Sequence, residues 1–282
     1  MCAMRLLVTG AAGMLGRDVV AAAGDAGHEA LALARADLDI TDAAAVRAAV
    51  LAAQPDAVIN CAAWTDVDGA EAAEAQATAV NGAGAGHVAA AAAQAGALLV
   101  HVSSDYVFDG TATEPYVEDA PVGPQGAYGR SKLAGEHAIA ATDARSAIVR
   151  ASWLFGPNGK NFVDTMRRLG AEREEIAVVD DQVGCPTYTG HLAPALVEIA
   201  ERGTTGILHV AGTGSCSWFE LAQATFEETG LQCRVTPQST AQLGRPAPRP
   251  AFSVLASTRG DAPRLPAWRD GLRAHLAVGV AA

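Results

Sequence analysis

Short apolar segments alternate with longer alanine-rich stretches along the first half of the chain. Short apolar runs bounded by glycine or polar residues are typical of buried strands, and apolar positions at helical spacing favour amphipathic helices. The strands predicted in this way cover residues 5–9, 31–33, 57–60, 98–103 and 147–150, and the helices cover 13–26, 42–53, 71–94 and 128–141. Strands that alternate with helices predict an α/β fold with a doubly wound parallel sheet.

The alternation becomes less regular after Ala151. A Gly-Pro-Asn-Gly segment predicts a loop at 156–159, and a helix is predicted over 161–173. Two shorter strands are predicted near 176–179 and 207–210, with a helix between them. Four prolines between 236 and 250 indicate an ordered loop or linker.

Composition narrows the class of protein. Half of the 282 residues are apolar and 18% are charged, which supports a sizeable core and argues against disorder. No apolar run reaches the length of about 18 residues that a membrane span needs. Residues 1–10 reach a strand and a glycine turn too early for a signal peptide. The net charge of −11 argues against a general nucleic-acid binder.

The cysteines indicate a reducing compartment. They are five in number and widely spaced, without a Cys-x-x-Cys motif: Cys2, Cys61, Cys185, Cys216 and Cys233. We therefore expect free thiols, a cytoplasmic location and no zinc site.

A glycine-rich segment, Gly10-Ala-Ala-Gly13-Met-Leu-Gly16, follows the first predicted strand directly. Gly10 permits a tight turn, Gly13 lets the backbone approach a pyrophosphate, and Gly16 lets the helix pack closely on the strand. The free N–H groups of the helix N-terminus, including Met14 and Leu15, would bind the phosphates. The segment predicts a Rossmann-type NAD(P)-binding domain over 1–150, with returning segments near 176–179 and 206–211. A smaller C-terminal, mainly substrate-binding region covers 151–282.

The end of the second strand favours NADPH over NADH. An acidic residue there would bind the ribose 2′-OH of NADH. The chain instead has Leu33-Ala-Arg35, and Arg35, with Arg17, could hold a 2′-phosphate by charge-assisted hydrogen bonds. NADH stays open as an accepted alternative.

Other cofactor contacts are expected further along the chain. Asp39 could accept a hydrogen bond from the adenine amine, and Ile40 could pack on the adenine ring. Ala62, Ala63 and Thr65 follow the third strand, where small residues would let the cofactor cross the sheet edge.

Tyr128 and Lys132 are four residues apart, so one face of a predicted helix carries both side chains. A phenol has a pKa of about 10, and a nearby ammonium group stabilises its ionised form. Ser104 ends the fourth strand and supplies a hydroxyl that can polarise a reacting oxygen. Lysine occurs only at Lys132 and Lys160, so its presence four residues after a tyrosine is informative.

Together these motifs resemble the extended short-chain dehydrogenase/reductase superfamily, and within it the dTDP-4-dehydrorhamnose reductase family. The resemblance covers most of the chain in order. Its segments are 8–16, 37–42, 60–68, 104–110, 128–136, 150–153, 161–162, 181–187 and 249–250.

The resemblance implies NADPH-dependent reduction of the 4-keto group of dTDP-4-dehydro-6-deoxy-L-mannose to dTDP-L-rhamnose. Tyr128 would protonate the alkoxide, Lys132 would tune Tyr128 and hold the nicotinamide ribose, and Ser104 would bind the carbonyl oxygen. Further positions match expected substrate contacts: Val67, Asp105, Tyr106 and Trp153 for the sugar, Asn161, Gln182 and Pro186 for the nucleotide, and Arg249 for the diphosphate.

Tyr106 argues against a nucleotide-sugar 4,6-dehydratase, because those relatives carry a glutamate base at this position. Two alternatives stay open. The chain could reduce another dTDP-4-keto-6-deoxysugar, or it could be a non-catalytic regulatory subunit resembling the methionine adenosyltransferase beta subunit. We expect no bound metal, no nucleic-acid or membrane partner, and a monomer or homodimer.

Overall fold

The computed structural model describes residues 3–278 and contains a six-stranded parallel sheet. The strands are β1 (Arg5–Thr9), β2 (Glu29–Leu33), β3 (Ala57–Asn60), β4 (Leu98–Ser104), β5 (Ser146–Ala151), β6 (Leu154–Phe155), β7 (Glu175–Val179), β8 (Val183–Gly184), β9 (Thr187–Tyr188), β10 (Gly206–His209), β11 (Cys216–Ser217) and β12 (Arg234–Gln238). The helices are α1 (Met14–Asp25), α2 (Ala43–Ala53), α3 (Val67–Ala72), α4 (Glu74–Thr78), α5 (Ala85–Ala95), α6 (Ala127–Ala140), α7 (Phe162–Glu172), α8 (Thr189–Arg202), α9 (Trp218–Thr229), α10 (Thr240–Leu243) and α11 (Trp268–Val278).

The strand order of the sheet is β2-β1-β3-β4-β5-β10, and all neighbours run parallel. The chain first moves outward from β1 to β2 and then returns to build β3 on the other side of β1. This reversal leaves a crevice outside the carboxyl ends of β1 and β3, which is where open α/β sheets bind ligands.

Helices cover both faces of the sheet, as the doubly wound prediction requires. Alternate side chains of β1 enter different cores, because successive strand residues point to opposite faces. Leu6 and Val8 pack with α1 and α8, whereas Leu7 packs with α2 and α5. Asp42 caps α2 by accepting hydrogen bonds from two backbone N–H groups.

The predicted helix over 71–94 is interrupted in the structure. A π-helical turn at Ala79–Gly84 separates α4 from α5. The interruption allows close contact with α6, because a Cβ at Gly135 would lie 2.2 Å from the carbonyl oxygen of Asn81. Two further glycines face alanine residues of α6. Cβ atoms at Gly82 and Gly86 would lie 3.2 and 3.1 Å from the methyl groups of these alanines.

The second half of the chain corrects two predictions. The segment 206–209 does add a strand to the main sheet, but the segment 176–179 does not. It lies in β7, which pairs with β12 in a separate two-stranded sheet over α7 and α9. The predicted linker over 236–250 therefore begins as a strand and continues as α10, which Ser239 and Gln242 cap reciprocally.

Over residues 3–278, no helix has the length and apolar character that crossing a membrane requires. The same residues contain no group of three or more His, Cys, Asp or Glu side chains that could hold a metal ion. The four described cysteines are free thiols, and Cys2 lies outside the described residues.

Candidate active site

The glycine turn between β1 and α1 has the shape that a dinucleotide pyrophosphate needs. Gly10 has φ +66°, and a Cβ there would lie 2.6 Å from the backbone nitrogen of Ala62. A Cβ at Gly16 would lie 2.3 Å from the carbonyl oxygen of Gly10. Gly13 has more room and is exposed, so its lack of a side chain leaves space outside the turn. The predicted roles of Gly10 and Gly16 are thus explained by contacts within the protein.

The N-terminus of α1 suits an anion. Within the described part of the chain, no side chain caps Gly13, and the first turn carries no acidic residue. Free N–H groups and the helix dipole therefore face the turn without a competing carboxylate. Met14 is half-buried and Leu15 is buried in the core, so Leu15 can offer only its backbone to a cofactor. These residues fit the pyrophosphate of a dinucleotide.

Arg35 and Asp39 lie close to each other after β2. Arg35 is exposed, and Asp39 accepts hydrogen bonds from the N–H and hydroxyl of Thr41 at 2.9 and 2.8 Å. These bonds, with the nearby Arg35 charge, lower the pKa of Asp39. The side chain of Ile40 is buried against Gly84, which leaves little of its surface for an adenine ring.

The carboxyl ends of β1, β3 and β4 are joined by a buried polar chain. The Thr9 hydroxyl donates to Asn60 at 2.6 Å, and the Asn60 amide bonds Nδ1 of His101 at 3.0 Å. Burial holds the pKa of His101 well below its usual value. Asn60 also accepts from the Ala62 N–H, so it fixes the backbone that contacts Gly10. Ala62 and Ala63 are half-buried and Thr65 is exposed at this edge.

Tyr128 and Ser104 meet at the end of β4. The phenol lies near the Ser104 hydroxyl, which favours its ionised form, but burial raises the pKa of Tyr128 to about 12. The ring of Tyr106 packs edge-on against Tyr128, with 5.4 Å between the ring centroids. The phenol is therefore kept protonated and held beside a second hydroxyl group.

Lys132 is buried behind this pair. Its ammonium donates to the carbonyl oxygen of Val102 at 2.8 Å. Burial lowers the pKa of Lys132 to about 8, although Glu136 and Cys61 act in the opposite direction. Burial raises the pKa of Cys61 to about 12, and the Lys132 charge opposes that rise. The Lys132 charge thus acts on Cys61, whose backbone lies beside the Gly10 turn.

A buried ion pair fixes the helix that carries Tyr128 and Lys132. Glu136 of α6 accepts two hydrogen bonds from Arg150 of β5, at 3.0 and 2.7 Å, and a third from Ser103 at 2.6 Å. The Arg150 guanidinium lies 5.0 Å from the ring centre of Phe108. The charge of Glu136 is thus matched, as burial of a carboxylate requires.

Asp105 is buried next to Ser104. The Ser104 hydroxyl donates to Oδ1 of Asp105 at 3.0 Å and accepts from the Tyr106 N–H at 3.1 Å. Burial raises the pKa of Asp105 to about 6, opposed by the nearby hydroxyls of Ser253, Ser104 and Ser152. Because only 2% of Asp105 is exposed, the expected direct contact with a sugar has little support.

Arg249 is anchored on Asp68. Its guanidinium lies 3.0 Å from Oδ2 of Asp68, which Arg245 also contacts at 3.0 Å. Partial burial opposes ionisation of Asp68, but hydrogen bonds from Arg249, Ala247 and Arg245 lower its pKa. The Arg249 charge also acts on the Tyr106 phenol, so Arg249 lies near the catalytic tyrosine. Asp68 follows the half-buried Val67 at the start of α3.

Trp153 has an unusual backbone and a tightly packed ring. Its φ of +47° lies in the left-handed region that bulky residues rarely adopt. The Trp153 ring stacks on Trp218 with 3.6 Å between centroids and 5° between planes. A Cβ at Gly184 would lie 2.5 Å from the Trp153 ring. Such strain, held by surrounding contacts, is typical of functional sites.

Asn161 and Gln182, predicted as nucleotide contacts, both make hydrogen bonds within the protein. Asn161 caps α7, and its amide donates to Gly156, Gly159 and Asp164. Gln182 accepts from the Trp218 indole at 3.1 Å and donates to Thr240 at 2.8 Å. These bonds fix both side chains, and their contacts with a nucleotide stay predictions.

Sequence reasoning missed Asp68, Trp218 and Ser253. Asp68 and Trp218 come from segments far from their partners in the chain, and Ser253 is buried near Asp105. The Arg-Pro-x-x-Ser order after Arg249 offered a weak signal for Ser253, and no local spacing marked the other two.

The site combines a glycine turn with the Ser104–Tyr128–Lys132 set at the edge of a doubly wound sheet. This combination defines an NAD(P)-dependent oxidoreductase of the short-chain dehydrogenase/reductase type. The model of the RmlD substrate binding domain family matches residues 4–280. The chain belongs to this family, the dTDP-4-dehydrorhamnose reductases.

Individual relatives cover nearly the whole chain. A dTDP-4-dehydrorhamnose reductase of Mycobacterium tuberculosis is 48% identical over 97% of this chain and 92% of its own length. A dTDP-4-keto-6-deoxy-D-glucose reductase of Streptomyces niveus is 44% identical over 94% of this chain and 90% of its own. A crystal structure of dTDP-4-dehydrorhamnose reductase from Bacillus anthracis, in complex with NADP, has a TM-score of 0.95 and 38% identity. It covers 98% of this chain and 100% of that one.

Proposed function

We propose that the protein reduces the 4-keto group of dTDP-4-dehydrorhamnose with NADPH and forms dTDP-L-rhamnose. The observation that carries the proposal is the placement of the Tyr128 phenol beside the Ser104 hydroxyl at the sheet edge, with Lys132 buried on the same helix as Tyr128. Family membership supplies the substrate class, and the site supplies the groups that a ketone reduction needs.

The residues that would hold NADPH are Gly10, Gly13 and the backbone of Met14 and Leu15 for the pyrophosphate, and Arg35 for the 2′-phosphate. Asp39, Ala62, Ala63 and Thr65 border the same edge of the sheet. The bound cofactor would supply the hydride. The Ile40 side chain packs against Gly84, so we do not assign it a contact with the adenine ring.

Tyr128 would donate its proton to the keto oxygen as that oxygen gains negative charge. A phenol with a raised pKa holds its proton until a more basic alkoxide forms beside it. Ser104 would stabilise the oxygen by a hydrogen bond. Lys132 would stabilise the resulting phenolate and bind the nicotinamide ribose, and the Glu136–Arg150 pair keeps its helix in place.

The substrate would lie between the catalytic pair and the C-terminal segments. Val67, Tyr106 and Trp153 are half-buried and border this space. Arg249 would bind the diphosphate, because its positive charge lies close enough to the Tyr106 phenol to act on it and Tyr106 borders the same space. We expect Asp68 to hold Arg249 in place before the substrate arrives.

The test is turnover of dTDP-4-keto-L-rhamnose with NADPH, followed by loss of the reduced-nicotinamide absorbance and by NMR identification of the sugar. A dTDP-4-keto-6-deoxyglucose substrate in parallel separates the proposed sugar from the open alternative. A product other than dTDP-L-rhamnose, or no turnover, would refute the proposal. The intact Ser104, Tyr128 and Lys132 set argues against the regulatory-subunit alternative. The cytoplasmic location and the monomeric or dimeric state stay predictions.

A further inference from the structure

The Ser104 hydroxyl has only one proton, and Asp105 accepts it. Ser104 donates to Asp105 at 3.0 Å, while its oxygen accepts from the Tyr106 N–H at 3.1 Å. A hydroxyl group has a single donor position, so that position is in use. Ser104 therefore cannot donate to a keto oxygen while Asp105 takes its proton.

The other carboxylate oxygen of Asp105 is poorly matched. Oδ2 is buried and makes no well-aligned hydrogen bond among residues 3–278, and the buried Ser253 hydroxyl near the Asp105 carboxyl also makes none. A buried ionised carboxylate with an unsatisfied oxygen is costly, and protonation removes that cost. Burial accordingly raises the pKa of Asp105 to about 6.

Protonation would rearrange the hydrogen bonds favourably. A neutral Asp105 can donate its own O–H to the Ser104 oxygen, which then accepts from Asp105 and from Tyr106. The Ser104 proton, no longer accepted by a carboxylate, is then free to point at the keto oxygen beside the Tyr128 O–H. Removing the carboxylate charge also favours the negative charge that develops first on the keto oxygen and then on Tyr128.

We propose that Asp105 is a positioning residue that must be protonated for Ser104 to donate to the keto oxygen. The inference rests on the proposed ketone reduction. Asp105 keeps its proton throughout the reaction: Tyr128 protonates the alkoxide, and Asp105 acts only by leaving the Ser104 proton available.

Neighbouring titratable groups do not obscure the expected pH dependence. Tyr106, Tyr128 and Cys185 face Asp105, and burial raises the pKa of all three far above neutrality. The Arg249–Asp68 pair acts on the adjoining Tyr106, and hydrogen bonds from Arg249, Ala247 and Arg245 lower the pKa of Asp68. Lys132 has a pKa of about 8 and would affect rates only at higher pH.

The direction of the pH dependence follows from which form of Asp105 is active. The protonated form is active, so kcat/KM should be highest below the Asp105 pKa and fall as pH rises through it. With a pKa of about 6 in the free enzyme, the value at pH 7 should be about tenfold below the plateau. The fall in kcat should lie at higher pH than the fall in kcat/KM, because bound substrate excludes water and adds negative charge.

The experiment compares pH profiles between 5.5 and 7.5 for the wild type, Asp105→Asn, Ser253→Ala and Asp109→Asn. An asparagine amide donates to Ser104 at every pH, so Asp105→Asn should remain active with a flat profile. Ser253→Ala removes a hydroxyl that lowers the Asp105 pKa, so its fall should move to higher pH. Asp109, which accepts from Tyr116 at 2.6 Å, is the matched control and should keep the wild-type profile.

A flat wild-type profile, a pH-dependent Asp105→Asn profile, or an Asp105→Asn enzyme inactive at all pH values would overturn the proposal. Carbon-13 NMR of labelled aspartates tests it without turnover. The carboxyl resonance that Asp105→Asn removes should titrate near pH 6 in the wild type. If that resonance shows an ionised group down to pH 4, the proposal fails even where the substrate assignment stands.

Discussion

The proposed cofactor side and the proposed sugar side of the site are built in different ways. The cofactor side is formed mainly by the backbone of consecutive residues, in which Gly10 and Gly16 remove side chains that would collide. The sugar side is formed by side chains from distant segments, such as Asp68 with Arg249 and Trp153 with Trp218. Function on the first side depends on shape, whereas on the second it depends on pairs that hold each other in place.

The largest loss of activity is expected at Tyr128, where the two sides meet. Tyr128→Phe should lower kcat by about 10³-fold, because the proton donor to the alkoxide is lost. Binding of NADPH, measured by fluorescence titration, should stay unchanged. A variant with more than a tenth of the wild-type rate would exclude Tyr128 as the proton donor.

Gly10→Ala tests the dependence on shape. The new methyl group would combine a positive φ with a 2.6 Å approach to Ala62, so we expect a stability loss above about 2 kcal/mol and weakened NADPH binding. Gly27→Ala is the control: Gly27 has φ +80°, but within the described residues nothing lies near its missing side chain. That variant should lose about 1 kcal/mol and bind NADPH normally. Equal losses in thermal unfolding would refute the role of the close contact.

Arg249→Ala tests the first side-chain pair. We expect the KM for the dTDP-sugar to rise about tenfold or more, since a charge-assisted contact with the diphosphate is lost. Arg245→Ala is a matched control, because Arg245 also contacts Asp68 but is 56% exposed against 16% for Arg249. If both variants raised KM equally, the diphosphate assignment would be wrong.

Trp218→Leu tests the second pair. Loss of the stack should raise the KM for the sugar nucleotide about fivefold, with a smaller change in kcat, and Trp218→Phe should restore most of it. Circular dichroism gives an independent measure, because two indoles stacked at 3.6 Å couple strongly. An unchanged spectrum in Trp218→Leu would show that the stack is absent in solution.

Arg35→Ala should have the smallest effect. Because Arg35 is exposed, its contact with a 2′-phosphate is worth about 1 kcal/mol, or about fivefold in the Kd for NADPH. The Kd for NADH should change little. An equal change for the two cofactors would remove the basis for the NADPH preference.

The same contrast explains what could be predicted from the sequence. The glycine turn, the Tyr128–Lys132 spacing and the alternating strands are local patterns, and the main sheet follows them closely. The pairing of β7 with β12 joins segments 59 residues apart in register, such as Glu175 with Arg234, and no local pattern indicates it. Asn161 and Gln182 matched family positions, but only contacts could show that their amides are already occupied.

The close fit of α6 against the π-helical turn has a consequence for motion. Helices separated only by glycine and alanine side chains have no room to slide, and the Glu136–Arg150 pair adds a second restraint. We therefore expect Tyr128 and Lys132 to remain fixed to the sheet during turnover. Substrate entry and product release would then depend on loops rather than on α6, whose amide hydrogens should exchange slowly with solvent.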